Sequence, residues 1–432
     1  MAAYIEPKIL KGFRDFLPQG EITRLNLLEK IEAVFRSYGF VPIDTPALEY
    51  AEILLGKGGG ETEKQIYRFT DNGGRDVALR FDLTVPFARF LAEHRDELTF
   101  PFKRYHIAKV WRGENTQRGR YREFTQCDFD TIGSDSAACD FEILHIMRNT
   151  LLAIAGGDVI IHINHRGLFN RFLSRLGILD KSVDILRTVD KLAKIGREET
   201  LKLLSESVEE SKAREIVNFI SIQGSFEETL AAMTAAAGGG PESERLGLIH
   251  RFMIDAGIAA SVVLDPSITR GLDYYTGVVF ESFLADMPGI GSVCSGGRYD
   301  NLVGLYSRDQ RSMLSGVGAS LGIDRLIAGL EALGRLETTL SYASAAVACV
   351  SGTSGGACQA LAEKLRKAGI PCEVFLDEEK LTKQFQLAEK KGLRWLIIPN
   401  AEDPLGGTIT LRDLPKRENR EVKPEELAAI LS

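Results

Sequence analysis

Alternation of polar and apolar positions is clearest across residues 103–133, KRYHIAKVWRGENTQRGRYREFTQCDFDTIG. Two strand-like runs, 105–111 and 121–132, flank a polar loop holding Arg112, Glu114, Arg118, Arg120, Gly113 and Gly119, the pattern of a long antiparallel hairpin. Side chains alternate across a strand, so Phe124, Gln126, Asp128 and Asp130 share one face while Thr125, Cys127, Phe129 and Thr131 share the other. Cys127 and Phe129 suit a core. The opposite row, an aromatic followed by an amide and two carboxylates, then faces either water or a ligand.

Elsewhere the period changes along the chain. Leu25, Leu28, Ile31 and Phe35 recur at helical spacing through residues 22–38, with Gly39 as the stop. Residues 40–46 are extended and hold Pro42 and Pro46, which keeps them at a sheet edge or a subunit boundary. Residues 54–65 read as a polar loop without the order of a phosphate-binding loop, and VALRFDLTVPF puts Asp82 and Thr84 on one face of a strand. An amphipathic helix over 141–154 and a strand over 159–164 follow, then a helical stretch from about 166 to 260, broken by AAAGGGPES near residue 240. Strand character returns at 260–264, at 277–283 and around Ser292, and 315–333 reads as a glycine-rich strand leading into a helix with Arg325 near its start. A polar linker over 333–342 separates this sheet domain (1–332, helical insertion included) from residues 343–432. There strands and helices alternate, with a hairpin at 407–414, as in a small α/β domain.

At 432 residues, with 44% hydrophobic and 26% charged, the chain can bury more than one core. Its net charge of -7 argues against an extended coating of nucleic acid or anionic membrane but leaves room for a local basic site. Six scattered cysteines without a CxxC pair indicate neither a disulfide framework nor a zinc site. With no apolar core of signal-peptide length in MAAYIEPKIL and no apolar run of membrane-spanning length, a cytoplasmic protein is expected. His162 and His165 have no further ligand at metal spacing, so core or hydrogen-bonded histidines are expected.

Two more stretches hold residues that a scaffold does not need. LDPSITRGLDYYTGVVFE places Arg270, Asp273, Tyr274 and Tyr275 on a turn entering a strand, and GSVCSGGRYDNLVG puts Arg298 and Asp300 after Gly296 and Gly297, where backbone can approach a ligand. An arginine, two phenols and a carboxylate suit recognition of a zwitterion and a phosphate.

These segments resemble the histidyl-tRNA synthetase family, within the class II aminoacyl-tRNA synthetases. YGFVPIDTP is similar to the family's first motif, KVWRGENTQRGRYREFTQCDFD to its second and GVGASLGIDRLI to its third, while RGLDYYTG and GGRYDNLV resemble its two histidine-specific motifs. The resemblance spans essentially the whole chain. It implies an α+β catalytic domain, an antiparallel sheet flanked by helices, with a helical insertion, dimerisation through the first motif, and a C-terminal anticodon-binding α/β domain.

The resemblance also implies roles. The activity would be ATP-dependent formation of histidyl-adenylate from L-histidine, followed by transfer to the 3′ end of tRNA(His), with Mg2+ on the pyrophosphate. Arg112 and Arg270 would meet the charge at the α-phosphate during attack by the histidine carboxylate, with Gln126 beside them as part of the catalytic set. Asp82, Thr84 and Gln126 would surround the substrate amino group, Asp130 and Tyr275 the imidazole nitrogens, and Tyr274 the pocket wall. Arg325 would hold the adenine and γ-phosphate side, with Phe124 stacking on the other adenine face and Glu114 near the base. Gln117, Arg118 and Arg120 would approach the tRNA acceptor end, or else form an exposed basic loop. The alternative function is that of a non-aminoacylating paralogue, such as the regulatory subunit of ATP phosphoribosyltransferase.

Overall fold

The computed structural model describes residues 4–56, 61–156, 159–268, 275–300, 302–306 and 314–431. The chain divides into two compact units, one of Met1–Arg14 with Leu27–Leu336 and one of Asp15–Asn26 with Glu337–Ser432.

Helix α1 (Pro18–Ser37) leads to β1 (Val41–Pro42), and a small sheet of β2 (Leu48–Tyr50), β3 (Arg68–Thr70) and β4 (Asp76–Leu79) is interleaved with α2 (Ala51–Leu55) and α3 (Glu61–Gln65). After α4 (Thr84–Glu93) come the long strands β5 (Phe102–Trp111) and β6 (Glu123–Ile132), then α5 (Ala137–Ala155) and β7 (Val159–His165). The helical stretch is α6 (Arg166–Arg175), α7 (Ser182–Val189), α8 (Leu192–Ser205), α9 (Glu210–Ile220), α10 (Phe226–Ala237) and α11 (Pro241–Asp255). Strands β8 (Val262–Leu264), β9 (Val278–Leu284), β10 (Cys294–Tyr299) and β11 (Gly316–Gly322) return to the sheet, and α12 (Ile323–Ala332) follows. The main sheet runs β1-β5-β6-β11-β10-β9-β7-β8. Its edge pairs β1–β5 and β7–β8 are parallel and its interior pairs are antiparallel.

The hairpin and its face assignment hold. Cys127 and Phe129 are fully buried, and the Phe129 ring lies 4.8 Å from that of Phe35 on α1. Burying an aromatic or aliphatic side chain of this size contributes about 1.5–3 kcal/mol, so this face fixes the register of β6. The same packing corrects one helix position. Leu27, Ile31 and Phe35 form the buried row of α1, spaced by four, whereas Leu25 is exposed. Residues 40–46 do lie at the sheet edge, through β1.

Three further expectations change. Residues 54–65 are not simply a loop, because α2 runs to Leu55 and α3 covers Glu61–Gln65. Asp82 and Thr84 are not on a strand. Strand β4 ends at Leu79, Thr84 opens α4, and Asp82 accepts a hydrogen bond from the Val85 N–H at 3.1 Å, which caps that helix. Alternation in RFDLTVPF is therefore a turn followed by one helical turn. Finally, Arg298 does not follow its glycines toward the cavity: Gly296 does line the cavity, but both glycines are also required by strand packing. A Cβ on Gly296 would overlap the Gly318 carbonyl and Ala319, and one on Gly297 would lie 2.7 Å from the Val278 carbonyl oxygen. Arg298 beyond them is buried against Asp140, with Nε and Nη2 at 2.9 and 2.7 Å from Oδ1.

His162 pairs with Asp265 at 2.8 Å, and His165 accepts the Gly167 N–H at the start of α6. Burial lowers the pKa of His165 to about 4, so it is a neutral cap.

The second unit has β12 (Ala345–Val347), α13 (Gly355–Lys367), β13 (Cys372–Val374), α14 (Leu381–Lys390), β14 (Trp395–Ile398), β15 (Ile409–Asp413), β16 (Glu418–Val422) and α15 (Leu427–Leu431), with the sheet order β13-β12-β14-β15-β16. Cys358, Leu361 and Leu365 on α13 pack on Trp395, Ile397 and Leu411. The hairpin here lies later than expected, since β15 pairs with β16 across a turn containing Arg417 at φ 57°. Gly406 and Gly407 belong to a turn before the strand, braced by Asp403. Mostly exposed, charged β16 (ENREV) offered no apolar alternation to read.

Candidate active site

In the first unit the polar face of β6 opens on a cavity of about 1180 Å³. Phe124, Gln126 and Asp130 line it from β6, Gly318 and Ser320 from β11, and Ser295 and Gly296 from β10. The ends of β5 and α12 add Arg112 and Arg325, and the turn before α4 adds Asp82 and Thr84. Glu114, Arg120, Tyr275, Glu281 and Tyr299 also belong to the polar wall, as do Arg166, Arg187, Asp190 and Lys191 from the helical stretch. The structure thus gathers Asp82, Thr84, Arg112, Glu114, Arg120, Phe124, Gln126, Asp130, Tyr275 and Arg325 around one space. Arg270 and Tyr274, with Asp273, lie outside the described residues.

Each charged group is held. Arg112 Nε donates to the Phe81 carbonyl at 2.8 Å, and its guanidinium stands 5.1 Å from the Phe124 ring centre, a cation–π arrangement. Arg325 Nη1 donates to the Ser292 carbonyl at 2.6 Å. Its neighbour Asp324 accepts the Thr125 N–H at 2.7 Å and pairs with Arg14, which stacks 3.9 Å from the Tyr121 ring centre. Gln126 Nε2 donates to Ser320 Oγ at 2.6 Å, while Gln126 Oε1 is buried without a partner among the described residues. Glu114 sits between Arg112 at 3.8 Å and Arg120 at 3.5 Å. Gln117 and Arg120 exchange backbone hydrogen bonds across the loop, and Gln117 and Arg118 are exposed, so only Arg120 of the three loop residues enters the cavity wall.

Asp130 is buried with a partner beside each carboxylate oxygen. Tyr299 donates to its Oδ1, and Arg104 Nη2 lies 2.7 Å from its Oδ2 in an ion pair not aligned as a hydrogen bond. Arg104 is itself fully buried and lies 4.1 Å from the centre of the Phe87 ring. Burial raises the pKa of Asp130 while Arg104 and Tyr299 oppose the rise. Burial likewise pushes Asp82 up to about 6 and Asp128 up to about 7. Desolvated carboxylates on β6 and on the turn before α4, costly when ionised, suit a cationic ligand that restores the balance.

Sequence reasoning did not single out Arg104, Tyr299, Ser320, Glu281 or Asp324. Arg104 and Ser320 face β6 residues directly in the pairing register, opposite Asp130 and Asp128, so knowledge of the strand order would have found them.

An antiparallel sheet whose polar face bears this cavity, in a chain with a separate five-stranded unit, defines a class II aminoacyl-tRNA synthetase. A family model described as Histidyl-tRNA synthetase matches residues 12–326, and one described as Anticodon binding domain matches residues 344–432. The chain belongs to the histidyl-tRNA synthetase family. It is 51% identical to a protein named histidine–tRNA ligase from Treponema denticola, covering 99% of this chain and 98% of that one. A histidine–tRNA ligase from Rhodopirellula baltica is 46% identical, over 97% and 96% of the two chains. The crystal structure of histidyl-tRNA synthetase from Nostoc superposes with a TM-score of 0.85 at 32% identity, covering 99% of each chain.

Proposed function

We propose that this protein activates L-histidine with ATP to histidyl-adenylate, releasing pyrophosphate, and then transfers the histidyl group to the 3′ end of tRNA(His), releasing AMP. The observation that supports it most is the cavity, where Arg112 after β5 and Arg325 in the first turn of α12 share one space with the Gln126 amide and the carboxylates of Asp82 and Asp130. Activation needs positive charge at the pentavalent phosphorus and an in-line carboxylate nucleophile, and no protein nucleophile is required. Arg112, with Arg270, takes the α-phosphate charge. Phe124 and Arg325 flank the adenine, with Glu114 at its edge. Asp82, Thr84 and Gln126 receive the ammonium group, while Asp130 and Tyr275 receive the imidazole and Tyr274 lines the pocket. Arg120, with Gln117 and Arg118 outside it, meets the acceptor end of tRNA(His).

Magnesium enters with the nucleotide. The carboxylates of Glu114 and Glu281 line the same cavity as Arg112 and Arg325, hard oxygen donors of the kind Mg2+ accepts, so the residues present fit an ion held mainly by phosphates. The protein is a homodimer in this reading. Supporting that are Val41 on the edge strand and Leu48, Tyr50 and Phe69 on the small sheet, all exposed. Residues 1–332 form the catalytic domain, with its helical insertion at about 166–260, and residues 333–342 the linker. Residues 343–432 read the anticodon. Its site of action is the cytoplasm, in keeping with six free cysteines. No described helix is long and apolar enough to cross a membrane. A non-aminoacylating paralogue such as an ATP phosphoribosyltransferase regulatory subunit is disfavoured by the match of the second unit to an anticodon-binding family. The test is charging of a tRNA(His) transcript with labelled histidine by the purified protein. Acid-stable product at catalytic enzyme concentrations is expected, and its absence from folded protein would reject the ligase reading.

A further inference from the structure

Gln126 reaches the cavity as an amide, and an amide can turn either a donor or an acceptor toward a ligand. Which end points inward decides whether the residue attracts an ammonium group or repels it. In this structure Nε2 faces Ser320 Oγ at 2.6 Å, and Oε1 is the buried atom left without a partner among the described residues. Ser320 lies diagonally from Gln126 on the same sheet face and directly opposite Asp128 in the β6–β11 register. Asp128 is 2% exposed, lies outside the cavity lining, and has Oδ1 without a hydrogen-bond partner among the described residues.

We propose that Asp128 and Ser320 are positioning residues that lock the Gln126 amide with its carbonyl toward the substrate ammonium. A serine hydroxyl has one proton to give. With that proton directed to the Asp128 carboxylate opposite, Ser320 Oγ can only accept from Gln126. The amide must then present its NH2 to Ser320 and its oxygen to the cavity. Asp128 lies outside the cavity lining and Ser320 within it, and the role assigned to each is exerted through Gln126. Burial raises the Asp128 pKa and the Ser320 hydroxyl works against that rise, as expected of a donor aimed at the ionised carboxylate. Without the lock the amide can rotate, and in half of its orientations it offers a donor to a cation.

This inference rests on the reading that Gln126 meets the histidine ammonium group, and its test separates the two. The ligands are L-histidine, L-histidinol, which keeps the ammonium but lacks the carboxylate, and imidazolepropionate, which keeps the carboxylate but lacks the ammonium. Dissociation constants are measured by calorimetry on the full-length protein, after a cooperative melt confirms that each variant is folded. Ser320→Ala is expected to weaken L-histidine and L-histidinol about tenfold, the scale of one hydrogen bond to a charged group, and to leave imidazolepropionate within about twofold. Ser320→Thr, which keeps the hydroxyl, is expected to restore most of the loss. Asp128→Ala is expected to shift the same two ligands in the same direction, which keeps the test open if Ser320→Ala does not fold. Equal weakening of all three ligands, or of none, would overturn the positioning role. Wild-type protein that binds imidazolepropionate as tightly as L-histidine would instead remove the ammonium reading on which the inference stands.

Discussion

Gly318 lies directly opposite Asp130 in the β6–β11 pairing, and a Cβ at this position would overlap the Asp130 Oδ1 oxygen. The missing side chain leaves the room in which the Asp130 carboxylate meets Tyr299 and Arg104. Gly318→Ala must therefore displace the carboxylate or spread the strands. Histidine-dependent pyrophosphate exchange by this variant is expected to fall roughly 100-fold, because even small misplacement at a reacting site is costly. Exchange within about threefold of wild type would show that the Asp130 position is not critical.

Arg104 is fully buried, and its Nε and Nη1 make no hydrogen bond among the described residues. Its worth to the fold is the charge it sets against Asp130. Removing one partner of a buried pair leaves the other uncompensated, so Arg104→Met is expected to destabilise the protein by about 3–5 kcal/mol in urea unfolding. Adding Asp130→Asn should recover part of that loss. Two changes that simply sum would argue that the pair is not coupled.

Asp128 gives a pH signature. Its pKa is raised by burial from 3.8 to about 7, so the folded state holds the proton more tightly than the unfolded chain. Stability from this group is complete below about pH 4 and is lost as pH rises through about 7. Asp128→Asn, neutral in both states, is therefore expected to be more stable than wild type at pH 8, by about 1–3 kcal/mol, with the difference vanishing below about pH 4. Denaturation of the ligand-free protein across this range is the measurement, and a gap that widens toward acid pH would reverse the assignment.

Asp82 does two things at once, capping α4 through the Val85 N–H and lining the cavity. Asp82→Ser keeps a capping oxygen and removes the charge. Its melting temperature is expected to stay near wild type, while histidine binding weakens by roughly tenfold or more. Loss of stability with unchanged affinity would leave Asp82 a helix cap only.

Strand parity made the cavity-lining face legible. A period of two leaves a strand no choice about which residues share a side, and with Cys127 and Phe129 in the core, Phe124, Gln126 and Asp130 had to line the opposite face. The hairpin partner strand is adjacent in the chain, so β5 was readable too. Ser320 was not, because it meets Gln126 from 194 residues away and only the sheet order brings it there. Asp82 was misread for a local reason. Four residues of apolar alternation look the same in a strand as in a turn that enters a helix, and the end of β4 at Leu79 decides between them. The Arg298 misreading had a related cause, since a glycine pair marks close backbone approach without saying whether a ligand or a neighbouring strand arrives.

The most direct measurement is ATP–pyrophosphate exchange by the purified full-length protein, with each of the common amino acids supplied in turn. Exchange that depends on L-histidine alone, and that is lost in Arg112→Ala while the protein remains folded, is the expected result. Exchange driven by another amino acid, or none with histidine at saturating ATP and magnesium, would contradict the assignment of this cavity to histidine activation.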